Sequence, residues 1–188
     1  MVLHGKEYDL AWKKLKDAVK FSPNCASRYD KSLFPPFEIE QPFVIFDIEN
    51  TTDDDDIMDK SIMEAFIKCT LPDKRMYAFD WHHSTFLFDP RNPEEQKSVY
   101  VPEPTVFGDG HYETFPHFYP DGDYYLFTAE DMSYGYLAHP WRDEVWVFGD
   151  ALISEFNNFY KALGWKKIPF LGCIRTANAD KYLIKEFD

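Results

Sequence analysis

Tyr77 to Pro90, YAFDWHHSTFLFDP, sets two adjacent histidines between two runs of aromatic and aliphatic residues. Met76 to Trp81 and Thr85 to Asp89 are rich in β-branched and aromatic side chains, which pack well on a pleated, half-buried surface, so both read as strands. The histidines then mark the corner of a hairpin. If residues 76 to 83 stay extended, alternation turns Tyr77, Phe79, Trp81 and His83 to one side and Ala78, Asp80 and His82 to the other. On a strand the two imidazoles therefore diverge and do not readily share a metal ion. Only a sharp turn would bring the pair together.

Upstream, Tyr8, Ala11, Trp12, Leu15, Ala18 and Val19 follow i, i+3, i+4, i+7 spacing and predict a helix over Glu7 to Val19. Phe21-Ser-Pro23 ends it. Residues 22–42, with Pro23, Pro35, Pro36 and Pro42, predict an irregular connection. Phe43 to Ile48 is a buried strand. A second helix spans Thr51 to Cys69, with Met58, Ile62, Ala65, Phe66 and Cys69 on one face. Thr52 or Asp53 suits its N-cap, and the aspartates of its first turn interact favourably with the helix dipole. The four-aspartate run lacks the alternating oxygen ligands and glycine of an EF-hand loop, so it reads as a helix start rather than a calcium site.

Downstream, residues 90–120 are rich in proline, glycine and aromatics and predict a long surface excursion with at most one short strand near Val99. Pro120-Asp-Gly122 is a turn signal. Asp123 to Thr128, Tyr134 to Ala138 and Glu144 to Phe148 are further strands, and Leu171 to Arg175 a short one. A third helix starts at Asp150, with Leu152, Ile153, Phe156, Phe159, Tyr160 and Leu163 as its apolar set and Gly164 where a C′ glycine belongs. Neighbouring strands with helices before and after them predict one α+β domain over residues 1–188. Its sheet is mostly antiparallel, of about five to seven strands, with helices packed on one face.

Composition bounds the function. Apolar residues at 45% and aromatics at 19% exclude disorder. The formal net charge of −13 argues against binding a nucleic-acid backbone or an anionic membrane. No basic residue lies between Lys97 and Arg142, whereas Glu103, Asp109, Glu113, Asp121, Asp123, Glu130 and Asp131 all do. A second acidic block runs from Asp47 to Asp59. No apolar run approaches the roughly 20 residues that span a bilayer, and the first residues show no secretory h-region. Cys25, Cys69 and Cys173 form no CxxC pair, which fits a reduced, cytoplasmic protein.

Chemistry-bearing motifs are sparse. Asp121 and Asp123 form a DxD, a pattern that can hold a divalent ion, yet Asp-Gly after proline is also a common turn. His139 and Trp141 lie in the loop before Arg142, with no serine or cysteine placed beside the histidine by sequence. The Gly-x-Ser-x-Gly elbow, a phosphate-cradling glycine loop, the Rossmann fingerprint and HExxH are all absent.

The run CTLPDKRMYAFDWHH at 69–83, then YPDGDYYLF at 119–127, then HPW at 139–141 followed by VFGDAL, resembles a bacterial family known as domain of unknown function 2716. The resemblance covers residues 40–160 or so and implies no particular activity. The layout of PDGDYYLF, a glycine-led strand, a histidine loop, a third strand and the helix ALISEFNNFYKAL is also similar to SUKH-type proteins. That resemblance implies an α+β fold and, as in most of that superfamily, neutralisation of a toxin by an immunity protein.

The functional expectation is a cytoplasmic, acidic binding or inhibitor protein, such as an immunity or anti-defence factor, that sequesters a basic protein partner. Its expected contacts are Asp53, Asp54, Asp55, Asp56, Asp109, Glu113, Asp121 and Asp123, with His83 and His139, and with Trp81, Tyr124 and Trp141 as aromatic anchors. No catalytic residue, metal or cofactor is assigned. The alternatives are a metal-assisted hydrolase or transferase that gathers His83, His139, Asp121 and Asp123 at one end of the sheet, and a small-ligand sensor.

Overall fold

The chain folds in the order α1 (Gly5–Val19), β1 (Phe43–Asp47), α2 (Asp55–Cys69), β2 (Met76–Asp80), β3 (Thr85–Phe88), a 3-10 turn (Pro93–Gln96), β4 (Val99–Val101), β5 (His111–Glu113), β6 (Tyr125–Ala129), β7 (Gly135–His139), β8 (Glu144–Phe148), α3 (Asp150–Phe159), β9 (Lys166–Ile168), β10 (Phe170–Thr176) and β11 (Ala179–Ile184). The structure is a computed structural model that describes residues 1–25, 35–52, 55–102, 108–176 and 179–184. Seven strands form one sheet in the order β3-β2-β6-β7-β8-β1-β9, and every pairing in it is antiparallel. The α+β class and the antiparallel sheet are those the sequence predicts.

Helices cover both faces of the sheet rather than one. Strands β2, β7 and β8 are buried at every position, so alternate residues must find cover on opposite sides. Ile45, Phe79, Leu126, Leu137 and Trp146 pack with Ala11, Trp12, Leu15 and Val19 of α1. Phe46, Ala78, Phe127, Tyr136 and Val147 pack with Met58, Ile62 and Phe66 of α2 and with Leu152 and Phe156 of α3. Phe21 and Phe37, flanking the proline-rich connection, extend the α1 layer, tied by Ser22 N–H to Pro36 O and Glu38 N–H to Val19 O, both at 2.8 Å. Residues 35–42 have no helix or strand, as predicted, and residues 26–34 of that connection lie outside the described residues.

Several predicted boundaries move. The long excursion 90–120 contains the 3-10 turn and an antiparallel pair of β4 with β5, where one short strand was expected; both strands are short and largely exposed, so apolar alternation does not reveal them. The third helix is regular only to Phe159, after which hydrogen-bonded turns carry the chain through buried Leu163 to Gly164. The strand expected at 171–175 lies within β10, which pairs with β11.

The register places particular residues at one end of the sheet. Asp80 lies opposite Tyr125, His139 opposite Glu144, Glu144 opposite Asp47, and Asp47 opposite Lys166. The loops that join strands at this end carry His82, His83, Trp141, Arg142 and Asp143, and Asp121 and Asp123 lead into β6.

Candidate functional site

Strand β2 stops at Asp80, one residue short of the predicted Trp81, because the chain reverses there. Asp80 N–H donates to Ser84 O at 2.9 Å, and His83 N–H donates to Asp80 O at 3.2 Å. This is the sharp turn that an extended strand would have denied, and it undoes the alternation argued for residues 81–83. His83 swings back over its own strand, so its Nδ1 lies 3.0 Å from Asp80 Oδ1 and 3.8 Å from Asp123 Oδ2. His82 Nδ1 lies 3.1 Å from the same Asp123 oxygen. Both histidines thus reach one carboxylate, although their sequence neighbours face apart.

Fixed geometry supports the cluster. Asp123 Oδ1 accepts from the Tyr124 N–H at 2.7 Å, and Trp81 N–H donates to Tyr124 O at 3.2 Å, which ties the hairpin turn to the start of β6. The Trp81 ring lies on His82 with centroids 3.7 Å apart and meets Tyr124 and Trp141 edge-on. Asp80 is 7% exposed and Asp123 8%, while the side chains of His82 and His83 are 58% and 67% exposed. Burial pushes the Asp80 carboxyl above its usual range; the bond and charge of His83 oppose this and the charge of Asp123 adds to it. The bond to Asp80 holds the His83 imidazolium above its ordinary pKa, against the cost of its partial burial.

A second layer lies behind. The Tyr124 hydroxyl donates to Asn24 O at 2.7 Å and lies 3.2 Å from His139 Nε2. Both rings are fully buried, so neither is available to a partner as the sequence suggested; they hold Trp81 and Trp141 in place. Burial, then the nearby Arg142, lowers the His139 pKa to about 3, so the ring is neutral. Arg142 itself forms a buried bidentate pair with Glu144, at 3.0 and 2.9 Å.

The other expected contacts are scattered. Glu113, in β5, accepts from the Ser84 hydroxyl and lies 2.8 Å from His111 Nε2. Burial works against its ionisation, but the bonds from Ser84 and His111 outweigh it and lower its pKa. Asp121 is exposed and accepts from the Tyr125 hydroxyl at 2.6 Å. Asp109 is exposed beside β5. Asp55 and Asp56 open α2, and Asp56 is exposed, whereas Asp53 and Asp54 lie outside the described residues; of the two N-cap expectations, Asp53 falls there, and Thr52 lies three residues before the helix. Sequence reasoning missed Asp80, His82 and Ser84 as parts of the site. The usable signal was the Asp-x-x-His spacing of Asp80 and His83, which closes on itself only across a tight turn.

A cleft of about 760 Å³ lies at the opposite end of the sheet, lined by Lys14, Cys69, Lys74, Arg75 and Tyr134 among others. It shares no residue with the histidine cluster, and burial raises its Cys69 thiol to about 11, which leaves the sulfur protonated and unreactive near neutrality.

The family model described as protein of unknown function (DUF2716) matches residues 2–153. The chain belongs to this family. The matched span of the DUF2716 chain contains Asp80, His82, His83, Asp123, Tyr124, His139 and Trp141. A relative described as uncharacterized protein YxiI, from Bacillus subtilis (strain 168), is 28% identical over 168 residues, covering 83% of this chain and 91% of the relative. No solved structure matches. Among the described residues of the DUF2716 chain, no helix is long and apolar enough to cross a membrane.

Proposed function

We propose that this protein is a binding module that holds a basic segment of a protein partner against the acidic end of its sheet. The observation that carries this reading is the antiparallel register, which brings Asp47 and Asp80 to one end, with Asp121, Asp123 and Asp143 in the adjoining loops. Arg142 at this end is buried in its pair with Glu144, so the two cancel, and exposed Lys166 stands opposite Asp47, which leaves Asp80, Asp121, Asp123 and Asp143 to set the sign of the field. Trp81 and Trp141, half-buried with centroids 6.5 Å apart, add ring surface on which a lysine or arginine stem can rest. Carboxylates beside tryptophans suit recognition of cationic side chains, and the field of the whole molecule would speed encounter with a basic partner. An immunity or anti-defence role inside the cytoplasm is the biological setting that the similarity of layout to SUKH-type proteins supports.

The alternative enzyme built on His83, His139, Asp121 and Asp123 has less support. His139 is sealed behind Tyr124 and Asp121 is bonded to Tyr125, so neither shares the close group formed by His83 and Asp123.

The test is affinity capture from host lysate at low and then moderate salt, followed by titration of the purified captured protein against wild type and the Asp121→Lys and Trp141→Ala variants. A basic partner bound about tenfold more weakly by each variant, with association slowed by salt, is the expected result. Equal affinity for all three folded proteins, or a captured partner that is not basic, overturns the reading.

A further inference from the structure

We infer that Asp80, His83 and Asp123 form a binding site for one divalent transition-metal ion of the zinc, manganese or iron type. One ligand atom from each lies within 4.8 Å of the other two, and the two edges that meet at His83 are 3.0 and 3.8 Å. An ion about 2.0–2.2 Å from each donor requires donor–donor edges of roughly 3–3.5 Å, so the two His83 edges already match to within a few tenths of an ångström, and the Asp80–Asp123 edge, at most 4.8 Å, is the one that would contract on binding.

Charge supplies a second, independent argument. Two carboxylates sit side by side at 7% and 8% exposure, which is costly without a positive partner. Among the described residues, the side chains in ion-pair range of them are the imidazoles of His82 and His83, which carry charge only when protonated, with no lysine or arginine. A divalent ion would neutralise both carboxylates at once and leave the imidazoles as ligands rather than counter-charges.

The surroundings suit such a role. The backbone bonds of the 80–84 turn fix Asp80 and His83 relative to each other, and the Tyr124 N–H orients Asp123 through the oxygen that the histidines do not touch. The exposed imidazole edges leave a path from solvent, and His82, already 3.1 Å from Asp123, can add a fourth ligand by rotating its ring. Two carboxylate oxygens with one or two imidazole nitrogens favour first-row transition ions over calcium, which takes six to eight oxygens. The site would be open on its solvent side, able to take water or an anionic group of a ligand.

Titration of chelator-stripped, tag-free full chain with ZnCl2 and separately with MnCl2, followed by calorimetry, tests this without any partner. The expected result is one ion per chain with a micromolar or tighter Kd, weakened about tenfold or more in His83→Ala and in Asp123→Asn, and unchanged in His117→Ala. Tetrahedral Co(II) absorption bands that vanish in His83→Ala would add support. His83 is exposed, so its truncation opens no core cavity, and urea unfolding of His83→Ala and Asp123→Asn confirms that each is folded under the titration conditions. Absence of saturable binding, equal binding by His83→Ala, or calcium bound more tightly than both transition ions overturns the inference.

Discussion

His139 and His83 are two histidines of one sheet end with opposite electrostatics. His139 is buried against Tyr124, and burial followed by the Arg142 charge lowers its pKa to about 3. Its unfolded value is near 6.5, so the unfolded chain binds the extra proton first as the pH drops. The stability tied to neutral His139 is therefore complete above about pH 6.5 and is lost as the pH falls towards 3, at up to about 1.4 kcal/mol per pH unit. His83, raised by Asp80, contributes in the other sense: its share is present below its unfolded pKa and fades as the pH rises through its folded one. Urea unfolding between pH 7 and pH 4 should show a steeper loss for wild type than for His139→Asn; parallel curves would count against a buried neutral imidazole. Sequence marks His139 as a histidine in a loop before Arg142, but its accessibility depends on Tyr124, fifteen residues earlier, lying across it. Asp80 was set aside for the converse reason, because alternation along a strand turned it away from His83 and the turn brought it back.

Gly164 shows how element ends are set by neighbours. The helix-closing glycine was legible, since a residue with φ of +80° after the last apolar position is strained for any other side chain. What was not legible is its neighbour: a Cβ there would lie 2.2 Å from Asn50 O, in the loop between β1 and α2. Thr52 N–H donates to Leu163 O at 3.0 Å, and Trp165 Nε1–H to Thr51 Oγ1 at 2.9 Å, so the end of α3 and the approach to α2 are held together. Gly164→Ala should cost about 1–3 kcal/mol, from the left-handed backbone and the clash together, measured by urea unfolding. A cost below about 0.5 kcal/mol would mean that the loop yields freely. Strand and helix identity came from local periodicity, whereas the β4–β5 pair, short and exposed, depends on two segments meeting and carries no periodic signal.

For the whole molecule, a net charge of −13 makes self-repulsion a term in stability. Raising NaCl from ~10 mM to ~0.3 M shortens the screening length from about 30 Å to well under 10 Å. The thermal midpoint should rise by a few degrees over that range, read by calorimetry with chelator present; a midpoint that falls would show that attractive ion pairs dominate instead. Class, strand direction and approximate element positions were determined by the sequence, because apolar periodicity and turn residues act over a few neighbours. Family membership was readable from three short motifs for the same reason. The division of helices between two faces was decided by the tertiary structure, since a strand apolar on both sides says that it needs two covers but not which helix supplies each. The site was decided there too: Asp80 and His83 meet Asp123 across about forty residues of chain, and the burial that makes their charges interact exists only once both cores have closed around the sheet.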